Sequence, residues 1–162
     1  MKKRLIALLL ALTCLAGLTA CGSKKEEAAA PFTPDLLQKM SDAGAFSEPL
    51  EVLEGDIVFA LYVLADYGFT LKDMDLNASS SLRSTGATCE EAAVLTFTGL
   101  DEAKLGEVEQ VLKTYLQAQI DANADYRPAE IPKLEKALVE RRGATFLLVV
   151  ANDYEAAKSV IS

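Results

Sequence analysis

A single thiol near the start of the chain stands where covalent chemistry is expected. Cys21 closes the run Leu18-Thr19-Ala20-Cys21, behind a basic cluster (Lys2, Lys3, Arg4) and an apolar stretch from Leu5 to Leu15. That order reads as a bacterial signal peptide ending in a lipobox, with the Cys21 thiolate accepting a diacylglyceryl group before cleavage. The alternatives are a plain secretory signal or an uncleaved membrane helix, and the apolar stretch is short for a span of roughly 20 residues. The mature chain would begin at Cys21 and be held by acyl chains such as palmitate. One chain holds a protein marginally, at about 0.8 kcal/mol per buried methylene, whereas two anchor it durably. The expected location is the extracytoplasmic face of the cell membrane.

Other chemistry-bearing residues form weaker patterns. Asp73-x-Asp75-x-Asn77 imitates the opening of a calcium loop, which needs glycine at its sixth position and a bidentate glutamate at its twelfth. Ala78 and Ser84 stand there instead, so no metal is expected. The carboxylate pairs Glu90-Glu91 and Asp101-Glu102 could serve as acid and base in glycoside hydrolysis if held about 5–9.5 Å apart across a cleft. Adjacent acids at the start of a strand or helix more often satisfy backbone and dipole preferences. Cys14 leaves with the signal, so Cys89 is the one thiol left beside Cys21. The chain has no histidine to activate it or to complete a zinc site of the usual Cys/His type. It reads as an incidental residue in a loop or at a strand edge. Nucleophile elbows, phosphate-cradling glycine loops and Ser-x-x-Lys sets are absent. Neither a catalytic residue nor a cofactor is expected.

These residues must be positioned by one domain. Three segments are expected: a signal peptide over 1–20, the lipidated cysteine and a flexible tether over 21–32, and a single domain over 33–162. Maturation leaves 142 residues, enough for one core without disulfide staples. The net charge of −8 becomes −11 once the three basic residues leave. Such a domain is repelled by phosphate backbones, which argues against nucleic acid as a partner.

Thr33-Pro34-Asp35 predicts a helix start, Leu36, Leu37 and Met40 its apolar stripe, and Gly44 its end. A second helix is expected from about Asp56 to Tyr67, closed by Gly68, although its all-round apolar middle would equally suit a buried strand. Alternation from Asp73 to Leu82 predicts a half-buried strand, and Ala92 to Phe97 a central one. Asp101 opens the longest helix, to about Asn123, with Leu105, Val108, Leu112 and Tyr115 on one face. Pro128 and Pro132 allow a short helix around Ala129–Glu135. Segments 137–142 and 144–151 flank Gly143 as a hairpin, and Asn152 or Asp153 caps a last helix. The fold class expected is α+β. A small, mostly antiparallel sheet of about four strands packs against a long helix and flanking helices, with one sheet face thinly covered or exposed.

From about Gly68 onward the chain resembles an uncharacterised family of small lipoproteins of Clostridia and related Gram-positive bacteria, a domain of unknown function. The resemblance rests on Tyr67-Gly68, Glu90-Glu91-Ala92, Gln119, Tyr126-x-Pro128 and Gly143, in that order and spacing. It departs after Gly143, where the aromatic of Thr145-Phe146 stands one residue late. It implies a membrane-tethered extracytoplasmic domain and adds no activity. Two functional classes follow: a non-catalytic binding or accessory module with a protein or cell-wall partner, or a cell-envelope enzyme or small-ligand-binding lipoprotein. A polar-rimmed cleft would favour the second class, and a convex surface with a bare sheet face the first.

Overall fold

The computed structural model describes residues 29–86 and 88–161. The signal segment, Cys21 and the tether through Ala28 lie outside the described residues. Helix α1 (Asp35–Asp42) is followed by β1 (Glu51–Glu54) and α2 (Asp56–Leu61). Short 3₁₀ turns (Leu64–Tyr67, Leu71–Asp73, Leu76–Ala78) lead into β2 (Ser80–Arg83) and β3 (Glu91–Thr96). The long helix α3 (Glu102–Asn123), a 3₁₀ turn (Pro128–Glu130), α4 (Ile131–Glu135), β4 (Leu138–Arg142), β5 (Thr145–Val150) and α5 (Tyr154–Ser159) complete the chain. The architecture is α+β, with one five-stranded antiparallel sheet in the order β1-β2-β3-β5-β4.

Both faces of that sheet are covered, which corrects the expectation of a thinly covered face. On one side Ala93, Leu95, Phe146, Leu148 and Val150 pack against α2, α3 and Leu134 of α4. On the other, Leu82, Ala92, Val94, Leu147 and Val149 pack against Leu36, Leu37 and Met40 of α1 and Ala157 of α5. Every side chain from Phe146 to Val150 is therefore buried. This explains why β5 reads as an unbroken apolar run without alternation. Phe32 belongs to this second core, at 4% exposed, and its N–H donates to Thr145 Oγ1 (3.0 Å). The folded domain thus takes in the residue assigned from sequence to the end of the tether.

Local chemistry sets the boundaries. Helix α1 ends in a paired C-terminal lock: Gly44 N–H donates to Ser41 O, and Ala45 N–H to Met40 O. Gly44 adopts φ +81, a conformation glycine reaches without steric cost. Asp101 caps α3 by accepting from Lys104 N–H, and Asp153 caps α5 by accepting from Glu155 and Ala156 N–H. The second helix is shorter than its apolar run predicts. It stops at Leu61, and Val63 turns left-handed (φ 48) before the 3₁₀ turn over Leu64–Tyr67.

The region from Asp73 to Leu82 is a second correction. It opens on the end of one 3₁₀ turn, makes one isolated bridge, Met74 with Phe97, and passes through a second 3₁₀ turn, and β2 begins only at Ser80. Asp73 accepts from Thr70 N–H (2.7 Å) and Asp75 from Asn77 N–H (3.1 Å), so the acids alternate with apolar residues because they cap successive turns. The fifth strand, β1, has no counterpart in the sequence reading.

Candidate functional site

The register across the sheet places Glu51, Arg83, Glu91 and Val150 in one cross-strand row. Directly opposed residues in antiparallel strands share a face, so Arg83 and Glu91 are held side by side. Over this row opens a cleft of about 260 Å³, floored by Arg83 and Glu91 and walled by Gln119 and Asn123 of α3 and by Arg127. The loop between β2 and β3, with Ser84, Gly86, Thr88 and Cys89, closes its other side. Pro128 ends the pattern of α3 and brings Arg127 back over the loop, where its Nη1 donates to Thr88 O (3.1 Å).

Glu91 is 3% exposed and receives the hydroxyl hydrogens of Tyr62 and Tyr115, the latter at 2.7 Å. The two rings meet edge to face at 4.9 Å between centroids. The nearest cation, Arg83 Nε, is 4.0 Å from Glu91 Oε2, beyond hydrogen-bond reach. Burial pushes the Glu91 carboxyl above the ordinary glutamate range, and the two phenol bonds and Arg83 oppose that rise. Burial, with the adjacent carboxylate, raises both phenols in turn, so they remain donors.

Glu90 points to the opposite side of the strand and is fully buried. It accepts from Lys133 Nζ (2.7 Å), Ser47 N–H (2.7 Å) and Ser47 Oγ (2.5 Å). Burial alone would lower the Lys133 ammonium; its bonds to Glu90 and Glu130 outweigh that and raise it. The adjacent acids are therefore separate sites, not a pair facing one another across a cleft. Asp101 is a helix cap, and Glu102 receives both its bonds from Arg141 Nη2 (2.9 Å each).

The loop wall is built from the same economy of hydroxyls. Ser84 and Thr88 both donate to Glu48 Oε1 (2.6 and 2.9 Å), which holds that carboxyl below its usual range. Ser84 Oγ also accepts from Gly86 and Thr88 N–H. Cys89 carries a free, partly buried thiol, raised mainly by burial, and its N–H donates to Glu130 Oε2 (2.9 Å). It stands in the loop before β3, as its reading from sequence has it.

What remains unengaged in the cleft is donor-rich. Among the described residues the Arg83 guanidinium makes no hydrogen bond within range, and Arg127 makes one. The Gln119 side-chain amide has no partner there either; its backbone oxygen accepts from Asn123 Nδ2 (2.7 Å). Asp73, Asp75 and Asn77 lie away from this cleft, and no cluster of three metal-ligating side chains occurs among the described residues. Sequence reasoning missed Arg83, Arg127, Tyr62 and Tyr115 as site residues. Of the short patterns singled out in the sequence, Glu90, Glu91 and Gln119 meet at the cleft and Tyr126-x-Pro128 brackets Arg127. Tyr67-Gly68 and Gly143 serve turns elsewhere, with Gly68 and Gly143 both at positive φ.

No helix among the described residues is long and apolar enough to cross a membrane. Compared with protein-family models, curated proteins and solved structures, the chain matches none of them.

Proposed function

We propose that this chain is a lipid-anchored extracytoplasmic protein whose folded domain is a non-catalytic binding module, with the cleft over Glu91 as its ligand site. The observation that carries the reading is the donor-rich cleft itself, with unengaged guanidinium and amide groups around a carboxyl already held by two phenols. The carboxylates nearest to it are committed to hydrogen bonds inside the fold, which suits holding a ligand better than transferring a proton. A small-ligand site was the second of the two classes read from the sequence, and the polar cleft favours it over a flat protein-docking face.

The position of the cleft agrees with anchoring through Cys21. The chain enters the domain at Phe32, beside Thr145 at the start of β5, whereas the cleft lies at the other end of the strands, beside Glu91 and Val150. Six strand residues put about 20 Å between these ends. The segment from Cys21 to Phe32 would span at most about 3.3–3.6 Å per residue. A tether of this kind joins the domain at the end opposite the cleft and leaves the cleft uncovered. Metabolic labelling with a fatty-acid analogue tests the anchor: the wild-type chain takes label, and Cys21→Ala stays unlabelled and uncleaved. Label on the variant contradicts it. Turnover of peptidoglycan, lipid or glycan by the purified protein, abolished by Glu91→Gln, would contradict the non-catalytic reading.

A further inference from the structure

We infer that the cleft recognises the oxyanion group of a small ligand, a carboxylate or a phosphate, gripped between Arg83 and Arg127. The inference rests on the binding-module reading and names its ligand class. A guanidinium offers five N–H donors in a fixed fork that matches the two oxygens of such a group. Arg83 uses none of them on a hydrogen bond among the described residues, and Arg127 uses one. Gln119 adds an amide with two further donors at the same wall. Three of the nearby acceptors are already engaged: Glu91 by two phenols, Thr88 O by Arg127, and Glu48 by two hydroxyls across the loop.

Charge makes the arrangement specific to this place. The whole chain carries −8, yet the cleft gathers two guanidinium groups against two glutamates, and burial disfavours the charged form of the one facing Arg83, Glu91. The other glutamate of its wall, Glu90, is turned away and paired with Lys133. An incoming oxyanion is repelled by the acidic surface at long range and attracted at the cleft that both arginines line, so the surface itself disfavours nonspecific anions. A volume of about 260 Å³ limits the occupant to a small molecule.

Thermal unfolding of the full-length protein in neutral detergent tests this with three probes at equal ionic strength: inorganic phosphate, succinate, and chloride alone. Phosphate or succinate is expected to raise Tm above the chloride value, as binding to the folded state requires. The probe that does so identifies phosphate or carboxylate as the source. Arg83→Gln and Arg127→Gln are each expected to weaken the binding about tenfold or more, while Lys113→Gln, on the exposed face of α3, leaves it unchanged. Arg83→Lys keeps the charge and loses the fork, so it is expected to fall between. Circular dichroism and Tm in chloride establish that each variant folds, and Arg83→Lys serves if Arg83→Gln does not. No shift with either probe, or an equal shift in wild type and both Gln variants, overturns the oxyanion assignment. Retention of an uncharged ligand, insensitive to both arginines, would overturn it while leaving the binding-module reading in place. Hydrolysis of envelope material would remove that reading itself.

Discussion

Glu90 and Glu91 are neighbours in the chain and both buried, yet the fold treats them in opposite ways. Glu90 is answered by an ammonium and two donors from Ser47, and it ties the segment after α1 to α4. Glu91 is answered by two phenols, with its nearest cation just out of hydrogen-bond reach and facing an open cleft. A carboxylate given a full ionic partner works as a tie. One buried without such a partner costs stability, and the arginine it leaves unbonded is available to something else. The difference arises where the chain enters β3: Glu90 lies just before the strand and Glu91 is its first residue, and the two side chains are directed to different layers of the fold.

The largest effect should come from breaking the tie. Lys133→Met leaves Glu90 buried without a counter-charge and is expected to cost about 3 kcal/mol, read as a fall in Tm or in the denaturant midpoint. Tyr62→Phe withdraws one donor from Glu91 and should cost about 2 kcal/mol, with most of the loss present at alkaline pH, where the carboxyl is ionised.

Glu91→Gln sharpens the contrast through pH. The folded Glu91 carboxyl is raised, so between the ordinary glutamate range and its raised value the folded state holds more protons than the unfolded one. Stability from this group therefore falls as pH rises through that window and is fully restored below it. The wild type should gain on Glu91→Gln as pH is lowered from 8 towards 5, and equal pH profiles for the two would contradict the assignment. The smallest effect concerns the turn that delivers Tyr62. Val63 beside it is exposed and left-handed, a conformation that costs a β-branched residue about 1–2 kcal/mol. Val63→Asn, better suited to that conformation, should raise stability by roughly 1 kcal/mol.

Some of this was legible in the residues alone. The 3.6 period of Leu105, Val108, Leu112 and Tyr115 marks α3, and Asp101 and Asp153 mark helix starts that the structure repeats. Gly143 at positive φ between two strand-length segments, the second of them apolar, marks the β4–β5 hairpin. The strand β1 was not legible, because Glu51-Val52-Leu53-Glu54 is short and mostly exposed and carries no alternation. Between Asp73 and Leu82, capping acids produced a period of two without a strand. The cleft was least legible. Its members come from β2, β3, the end of α3 and the segment after it, and the partners of Glu90 and Glu91 lie 24 to 43 residues away in the chain. Only the sheet register reveals that Arg83 faces Glu91.

The central claim is that Glu90 holds the fold while the region over Glu91 holds a ligand. Phosphate and succinate titrations of Glu90→Gln and Glu91→Gln, side by side at pH 8, test it most directly. Glu91→Gln removes the carboxylate charge that Arg83 faces on β3 and is expected to bind the preferred oxyanion more tightly than wild type, on an intact fold. Glu90→Gln is expected to melt earlier and bind with wild-type affinity. Loss of binding in Glu91→Gln, or a change in affinity confined to Glu90→Gln, would contradict the account.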